Sequence, residues 1–155
     1  MRGDLTLMNI SQRLIAASRA RSPWFYCVNA GSCNGCDIEI AAALGPRYDA
    51  EQMGALRQGS PKHADILVVT GPITRRAHAA LCDIFSQMPG PKAVVAVGSC
   101  PATGNVFAGS PSIDAPLEDL IPVEVYVPGC PPRPQAILQG LRRAAAVLGG
   151  RKAEE

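Results

Sequence analysis

Two short apolar runs constrain the fold of this chain most strongly: Ile66 to Thr70 (ILVVT) and Ala93 to Val97 (AVVAV). Both are rich in β-branched residues and are bounded by glycine and proline, as strands are. Neither alternates apolar with polar residues, so each strand is expected to be covered on both faces. Parallel sheets with helices above and below have this property, and the two runs therefore predict an α/β fold.

The remaining predicted elements continue an alternation of strand, loop and helix. Further strands are predicted at 24–28 (WFYCV) and 123–127 (VEVYV), and helices at about 37–44, 75–88 and 134–148. The last helix has Pro134 in its first turn and Gly149 as its stop signal. The recurrence predicts an open parallel sheet with helices on both faces.

The chain of 155 residues has the length of one domain. Residues 1–20 carry apolar side chains at roughly helical spacing and are expected to form an N-terminal amphipathic extension. Residues 21–149 are expected to form the domain itself, and the tail 150–155 is expected to be frayed.

Charge and hydropathy exclude several classes of function. The net charge of +2 comes from 15 basic and 13 acidic residues spread along the chain, which does not support nucleic-acid binding by a basic face. No apolar stretch is long enough for a membrane-spanning helix, and no secretion signal is recognisable. A cytoplasmic location is expected, where six cysteines are more consistent with metal ligands or redox groups than with disulfides.

Four of the cysteines follow predicted strands. Cys33 and Cys36 come after the first strand, Cys100 follows AVVAV, and Cys130 follows VEVYV. Ligand sites of open parallel sheets collect at the carboxyl ends of the strands, so these four thiols are expected to meet at one edge. Cys27 and Cys82 lie within a predicted strand and helix, and are expected to be core residues.

Four convergent thiolates can hold zinc or an iron–sulfur cluster. Zinc usually takes two tight cysteine pairs, whereas here one pair is joined by two single cysteines, which favours a cluster. Glycines 31, 35, 98 and 129 are expected to let backbone N–H groups approach the sulfurs, and the prolines after Cys100 and Cys130 to hold those residues extended. A thioredoxin-like redox pair would need only Cys33 and Cys36 and would leave the other two without a role.

Four motifs together resemble a known family: SCNGCDIEI, HADILVVTGPIT, VGSCPATG and VPGCPPRPQAIL. They occur in the same order in the small iron–sulfur subunit of energy-converting, membrane-associated [NiFe] hydrogenases of the formate hydrogenlyase and CO-linked type. The 20 kDa subunit of respiratory complex I is similar to this subunit. The resemblance extends from about Ser22 to Leu148.

The resemblance implies a flavodoxin-like domain that binds one [4Fe–4S] cluster through Cys33, Cys36, Cys100 and Cys130. The complex I relatives have two adjacent cysteines at the first motif, whereas Asn34 and Gly35 separate them here, as in hydrogenases. Ferredoxin-linked sulfur-reducing complexes share the spaced pair, so a quinone- or sulfur-reducing relative stays the alternative.

The resemblance further implies a subunit of a multi-subunit oxidoreductase that relays electrons. Its partners would be a ferredoxin-like iron–sulfur subunit, the large subunit that holds the nickel–iron site and, indirectly, membrane-embedded subunits. The expected location is the inner face of the cell membrane. Glu39, one helical turn after Cys36, matches a family glutamate associated with proton transfer; a first-turn carboxylate favoured by the helix dipole is the simpler alternative.

Overall fold

The five strands and five helices of the computed structural model, which describes residues 10–150, alternate along most of the chain. The strands are β1 (Trp24–Asn29), β2 (Leu56–Arg57), β3 (Ile66–Thr70), β4 (Ala93–Val97) and β5 (Val125–Val127). The helices are α1 (Ile10–Arg21), α2 (Gly35–Leu44), α3 (Arg75–Gln87), α4 (Ser99–Thr103) and α5 (Pro134–Leu148). The parts of the predicted extension and tail at 1–9 and 151–155 lie outside the described residues.

All five strands belong to one parallel sheet in the order β2-β1-β3-β4-β5. This is the strand order of flavodoxin-like folds, in which the chain reverses its direction of winding between β1 and β3. The predicted fold class is therefore confirmed.

Helices cover both faces of the sheet, as the two fully apolar strands predicted. Alternate residues of β3 and β4 point to opposite faces, and both strands are buried along their whole length. On one face α2 and α5 pack over Phe25, Val68 and Val95. On the other face α3 packs over Leu67 and Val94 through Leu81.

Helix α1 packs against α5 at the opposite end from the strand-end loops. The two helices are close enough that a Cβ atom at Gly149 would lie 3.1 Å from the Cβ of Ala20. Arg19 forms an ion pair with Asp65 at 3.3 Å, just before β3 begins. No helix within residues 10–150 combines the length and the apolar character that crossing a bilayer requires.

The predicted elements differ from the structure at several bounds and in the elements that are too short to carry a periodic signal. The two-residue strand β2 was not predicted, since two residues carry no periodic signal. The last strand begins at Val125 and not at Val123. Cys100 lies within the helix α4, so the expectation of an extended residue before Pro101 was wrong.

Candidate metal centre

The ends of four strands are aligned across the sheet. The register joins Asn29 to Thr70, Thr70 to Val97, and Val97 to Val127. The loops that follow β1, β4 and β5 therefore leave the sheet at the same edge. The loops after β1 and β5 carry Cys33 and Cys130, and the first turns of α2 and α4 carry Cys36 and Cys100.

The loop after β1 is held by the side chain of Asn29. Its Oδ1 accepts hydrogen bonds from the backbone N–H groups of Gly31, at 3.0 Å, and Ser32, at 2.7 Å. Gly31 has a φ of 139° and Asn34 a φ of 69°, which turn the chain sharply into α2. The turn leaves Cys33 exposed at the surface and Cys36 buried in the first turn of the helix.

Gly98 makes room for the thiol of Cys36. A Cβ atom at this position would lie 2.7 Å from Cys36 Sγ, closer than real Cβ atoms approach a neighbour. The N–H group of Gly98 donates to the carbonyl oxygen of Val127 at 2.9 Å and is not free for a sulfur. Gly31 likewise donates its N–H to Asn29 Oδ1, so the N–H groups of these two glycines are hydrogen-bonded to oxygen. Gly98 is required here for the space that it leaves.

The segments that carry Cys100 and Cys130 are connected by hydrogen bonds. The carbonyl oxygen of Gly129 accepts hydrogen bonds from the N–H of Ser99, at 2.9 Å, and from its hydroxyl, at 3.2 Å. These hydrogen bonds fix two ligand loops from distant parts of the sequence to one another. Pro101 lies in the first turn of α4, where a missing N–H costs nothing, because the first N–H groups of a helix have no partner within it. The peptide bond between Cys130 and Pro131 is cis.

Asn105 contacts two of the four thiols, and the sequence did not predict it. Its Nδ2 lies 3.6 Å from the sulfur of Cys130 and 3.9 Å from that of Cys100. The residue has a φ of 49°, a left-handed conformation that asparagine tolerates better than most side chains. An asparagine next to a glycine, just after a ligand motif, was the signal that could have drawn attention to it.

The pKa of the Cys36 thiol reflects its neighbours. Burial, followed by the Cys100 thiol, raises this pKa to about 11, and Asp37, Cys33 and Cys130 contribute in the same direction. Burial likewise raises the pKa of Cys100, partly offset by the hydrogen bond from Asn105. The four thiols are thus near enough to influence one another's charge. At neutral pH Cys36 is protonated, and binding of a cation would displace that proton.

Asp37, immediately after Cys36, ties α2 to the sheet. Its Oδ1 accepts a hydrogen bond from the hydroxyl of Thr70 at 3.0 Å, and its Oδ2 accepts one from Asn29 Nδ2 at 3.1 Å. Thr70 is completely buried at the end of β3. A carboxylate in the first turn also suits the positive end of the helix dipole. This explains Asp37 as an anchor of the ligand helix.

The other candidate residues lie away from the four thiols. Cys27 packs against the core, and burial raises its pKa to about 11. Cys82 is half-buried on α3. His78 Nδ1 pairs with Asp114 Oδ2, whereas His63 is exposed in the turn before β3. Glu39 is half-buried on α2, one turn beyond Cys36.

All six cysteines are free thiols. Within residues 10–150, no three His, Cys, Asp or Glu side chains are grouped closely enough to hold a single metal ion.

Comparison with known proteins gives a family and close relatives. A model of the family described as NADH ubiquinone oxidoreductase, 20 Kd subunit, matches residues 33–144. The probable membrane-bound hydrogenase subunit mbhJ of Pyrococcus furiosus is 60% identical over 121 residues, which cover 78% of this chain and 72% of that one. Formate hydrogenlyase subunit 7 of Escherichia coli is 41% identical over 128 residues, which cover 83% of this chain but only 50% of that one.

A solved structure supports the same grouping. A chain of the membrane-bound sulfane sulfur reductase, an archaeal respiratory membrane complex, superposes with a TM-score of 0.79 at 31% identity. The superposition covers 92% of this chain and 78% of that one. The family that the four motifs indicated is thus confirmed: the chain belongs to the NADH ubiquinone oxidoreductase 20 Kd subunit family, whose members are subunits of oxidoreductase complexes.

Proposed function

We propose that this chain is an electron-transfer subunit that binds one [4Fe–4S] cluster through Cys33, Cys36, Cys100 and Cys130. The alignment of the strand ends carries the proposal, because it brings cysteines from three separate loops to one edge of the sheet. In a cubane cluster each cysteine binds a different iron atom. One close cysteine pair joined by two single cysteines fits such a group better than a zinc ion, which usually takes two tight cysteine pairs.

The surroundings of the thiols also fit a cluster. Gly98 leaves space beside Cys36 that a Cβ atom would fill, and Asn105 directs its amide nitrogen at Cys100 and Cys130. Amide hydrogen bonds to sulfur are a known means by which proteins set the potential of a cluster. Asn105 would not be needed for a redox pair made of Cys33 and Cys36 alone, because the sulfurs that it contacts are those of Cys100 and Cys130.

A [4Fe–4S] cluster, when bound, accepts and releases one electron at a time. The residues of this chain hold the group at the surface, where Cys33 and Cys130 are exposed, so that a partner subunit can approach closely. We propose that electrons pass between a ferredoxin-like subunit and the nickel–iron site of a large subunit. The complex would lie on the inner face of the cell membrane, attached through membrane-embedded subunits.

Apolar side chains near the ligands suit contact with such a partner. Ile38, two residues after Cys36, is 66% exposed, and Val106, next to Asn105, is 81% exposed. Phe107 is 41% exposed. Side chains of this kind are enriched where another protein covers the surface. We call Ile38, Val106 and Phe107 the apolar rim and propose that it faces the large subunit.

Glu39 is proposed to carry protons near this interface. It lies one helical turn beyond Cys36, the spacing that puts two side chains on the same side of a helix. If Glu39 transfers protons, Glu39→Gln should lower turnover while the electron paramagnetic resonance (EPR) signal of the cluster stays at wild-type intensity. Unchanged turnover would instead assign the carboxylate to the helix dipole alone.

A second function is favoured by one specific observation, the structural similarity to a chain of sulfane sulfur reductase. The same electron relay could serve a complex that reduces sulfur in place of protons. The assay that separates the two functions uses the complex purified anaerobically with its own partners and supplied with reduced ferredoxin. Hydrogen evolution supports the hydrogenase function, whereas sulfide release from polysulfide without hydrogen supports the alternative.

The ligand assignment is tested in the same complex by Cys100→Ala. We expect the variant to lose the iron and acid-labile sulfide of this site and essentially all turnover, because three thiolates from this chain cannot complete the site. Cys82→Ala is the matched control, since Cys82 is a free cysteine on α3 outside the four-thiol site. An intact cluster with full turnover in Cys100→Ala would refute the assignment, and zinc without sulfide in the wild-type protein would refute the cluster.

A further inference from the structure

Asn105 is the polar side chain whose amide nitrogen is aimed at two ligand thiols from different loops. Its Nδ2 lies within 3.6 Å of Cys130 Sγ and 3.9 Å of Cys100 Sγ. Sulfur is larger than oxygen, so nitrogen–sulfur hydrogen bonds are correspondingly longer. A deprotonated thiol has no hydrogen to donate, so the nitrogen of the amide must face the sulfurs when the ligands are charged.

The backbone holds this amide in place. Gly104 ends α4 in a left-handed conformation with a φ of 75°, and its N–H donates to the carbonyl oxygen of Cys100 at 2.8 Å. Asn105 continues with a φ of 49°, and its own N–H donates to Thr103 Oγ1 at 3.3 Å. The side chain is half-buried between the two ligand loops. Its direction is therefore set by the turn that follows Cys100.

Two requirements meet at this position. The left-handed backbone restricts the residue to glycine, asparagine or aspartate at low cost. Of these three, only asparagine carries N–H donors, because aspartate is an acceptor at neutral pH and glycine has no side chain. The backbone alone would be satisfied by glycine, so the amide has a role beyond the turn.

We propose that Asn105 is a positioning residue that raises the reduction potential of the proposed cluster by donating hydrogen bonds to Cys100 and Cys130. Reduction adds one electron and no proton, so the ligand sulfurs become more negative. The N–H groups of Asn105 interact more strongly with the more negative sulfurs and keep their hydrogens throughout. The inference rests on the proposed function, since it requires a cluster at the four thiols.

The test is a redox titration of the purified complex, followed by EPR. The signal of this site is identified as the one that Cys100→Ala lacks. Asn105→Gly removes the donors while easing the backbone, and Asn105→Asp keeps the shape but replaces the donors by an anion. We expect both variants to lower the midpoint potential. For Asn105→Gly the ratio of reduced to oxidised cluster at a fixed potential should fall by up to roughly tenfold, which corresponds to a shift of about 59 mV for a one-electron couple. Asn105→Asp should lower it further.

Ala108→Gly is the matched control, because it loosens the end of the same turn while leaving the Asn105 amide in place and the apolar rim unchanged. Its midpoint should stay at the wild-type value. An unshifted Asn105→Gly, or an equal shift in Ala108→Gly, would overturn the role of the amide. Loss of the cluster from both Asn105 variants would also overturn it, since Asn105 would then serve assembly. Absence of iron and sulfide from the wild-type complex would refute the proposed function itself, an outcome distinct from all of these.

Discussion

At the scale of single residues, the candidate metal centre depends on the missing side chain of Gly98 as well as on the thiol of Cys36. Cys36 is only 8% exposed, and the wall of its pocket is the bare backbone of Gly98. The φ of 94° at Gly98 is unfavourable for any residue with a Cβ atom. Space and backbone conformation therefore both select glycine at this point.

Gly98→Ala should disturb the site even though it adds one methyl group. Strain in the backbone costs about 1–2 kcal/mol, and the new Cβ would overlap Cys36 Sγ unless the thiol moves. We expect the variant complex to retain less of the iron and acid-labile sulfide of this site than the wild type does.

Gly59→Ala is the control for this change. A Cβ atom added at Gly59 would have no heavy atom within 4 Å, and the backbone there has no left-handed φ, so iron content should be that of the wild type. Full iron and sulfide in Gly98→Ala would show that the pocket of Cys36 adapts to a side chain.

The sequence predicted the four thiols as ligands but not the roles of Asn105 and Gly98 beside them, for a physical reason. The carboxyl ends of parallel strands share an edge in every sheet of this kind, so the convergence of Cys33, Cys100 and Cys130 follows from strand prediction alone. The contact of Asn105 with two sulfurs depends on the exact path of a turn. The role of Gly98 depends on which neighbour lies beside it. Neither property is encoded in a local pattern of residues.

At the scale of elements, the position of the Cys130 loop depends on how closely α5 packs on the sheet. Gly140 is buried in the middle of α5, and a side chain there would overlap Val127 Cγ2 at the end of β5. Val127 is the register partner of Val97, two residues before Gly129. The absence of a side chain at Gly140 thus lets the helix approach the strand that leads into the Cys130 loop.

Gly140→Ala should destabilise the protein although alanine is the better helix former. The gain in helix propensity is about 1 kcal/mol, whereas overpacking a core typically costs about 1–3 kcal/mol. A net loss of about 1 kcal/mol would lower the midpoint of thermal unfolding by roughly 2–4 °C for a chain of this size.

A double-mutant cycle with Val127→Ala isolates the contact. Removing the valine methyl groups should make Gly140→Ala neutral or stabilising in that background. If Gly140→Ala costs the same in both backgrounds, the overlap with Val127 is not the cause.

The bounds of β3 and β4 match the two apolar runs, and those of α5 match the signals at its ends. Helix α5 has the predicted limits because Pro134 and Gly149 mark both of its ends. The short helix α4 was missed because its five residues begin directly after a strand and include Pro101. The strand β2 pairs only Leu56 and Arg57 with β1, and it exists through that pairing alone.

At the scale of the whole molecule, the two ends of the sheet have different surroundings. The strand ends carry the four thiols and the apolar rim, whereas α1 lies at the other end against α5. Exposed isoleucines occur at both ends: Ile38 on the rim is 66% exposed and Ile15 on α1 is 51% exposed. This pair allows the proposed partner surface to be tested with one kind of substitution.

Ile38→Ser should weaken association with the large subunit, because burial of an isoleucine side chain contributes about 1.5–3 kcal/mol. That loss corresponds to at least a tenfold weaker complex, which can be measured by the amount of large subunit that copurifies as the salt and protein concentrations are varied. Ile15→Ser, at the other end, should keep the large subunit at the wild-type level. Equal losses in the two variants would argue against the rim as the binding surface.

The order of the four thiols along the chain has a consequence for biogenesis. Cys130 lies far along the chain from Cys33 and Cys36, after β5, which joins the sheet at its edge. While the polypeptide emerges from the ribosome, Cys33 and Cys36 are therefore made long before the segment that completes their surroundings. A nascent chain would expose the thiols of Cys33 and Cys36 until β5 and the Cys130 loop have been made, so delivery of iron to the proposed cluster would have to follow their synthesis.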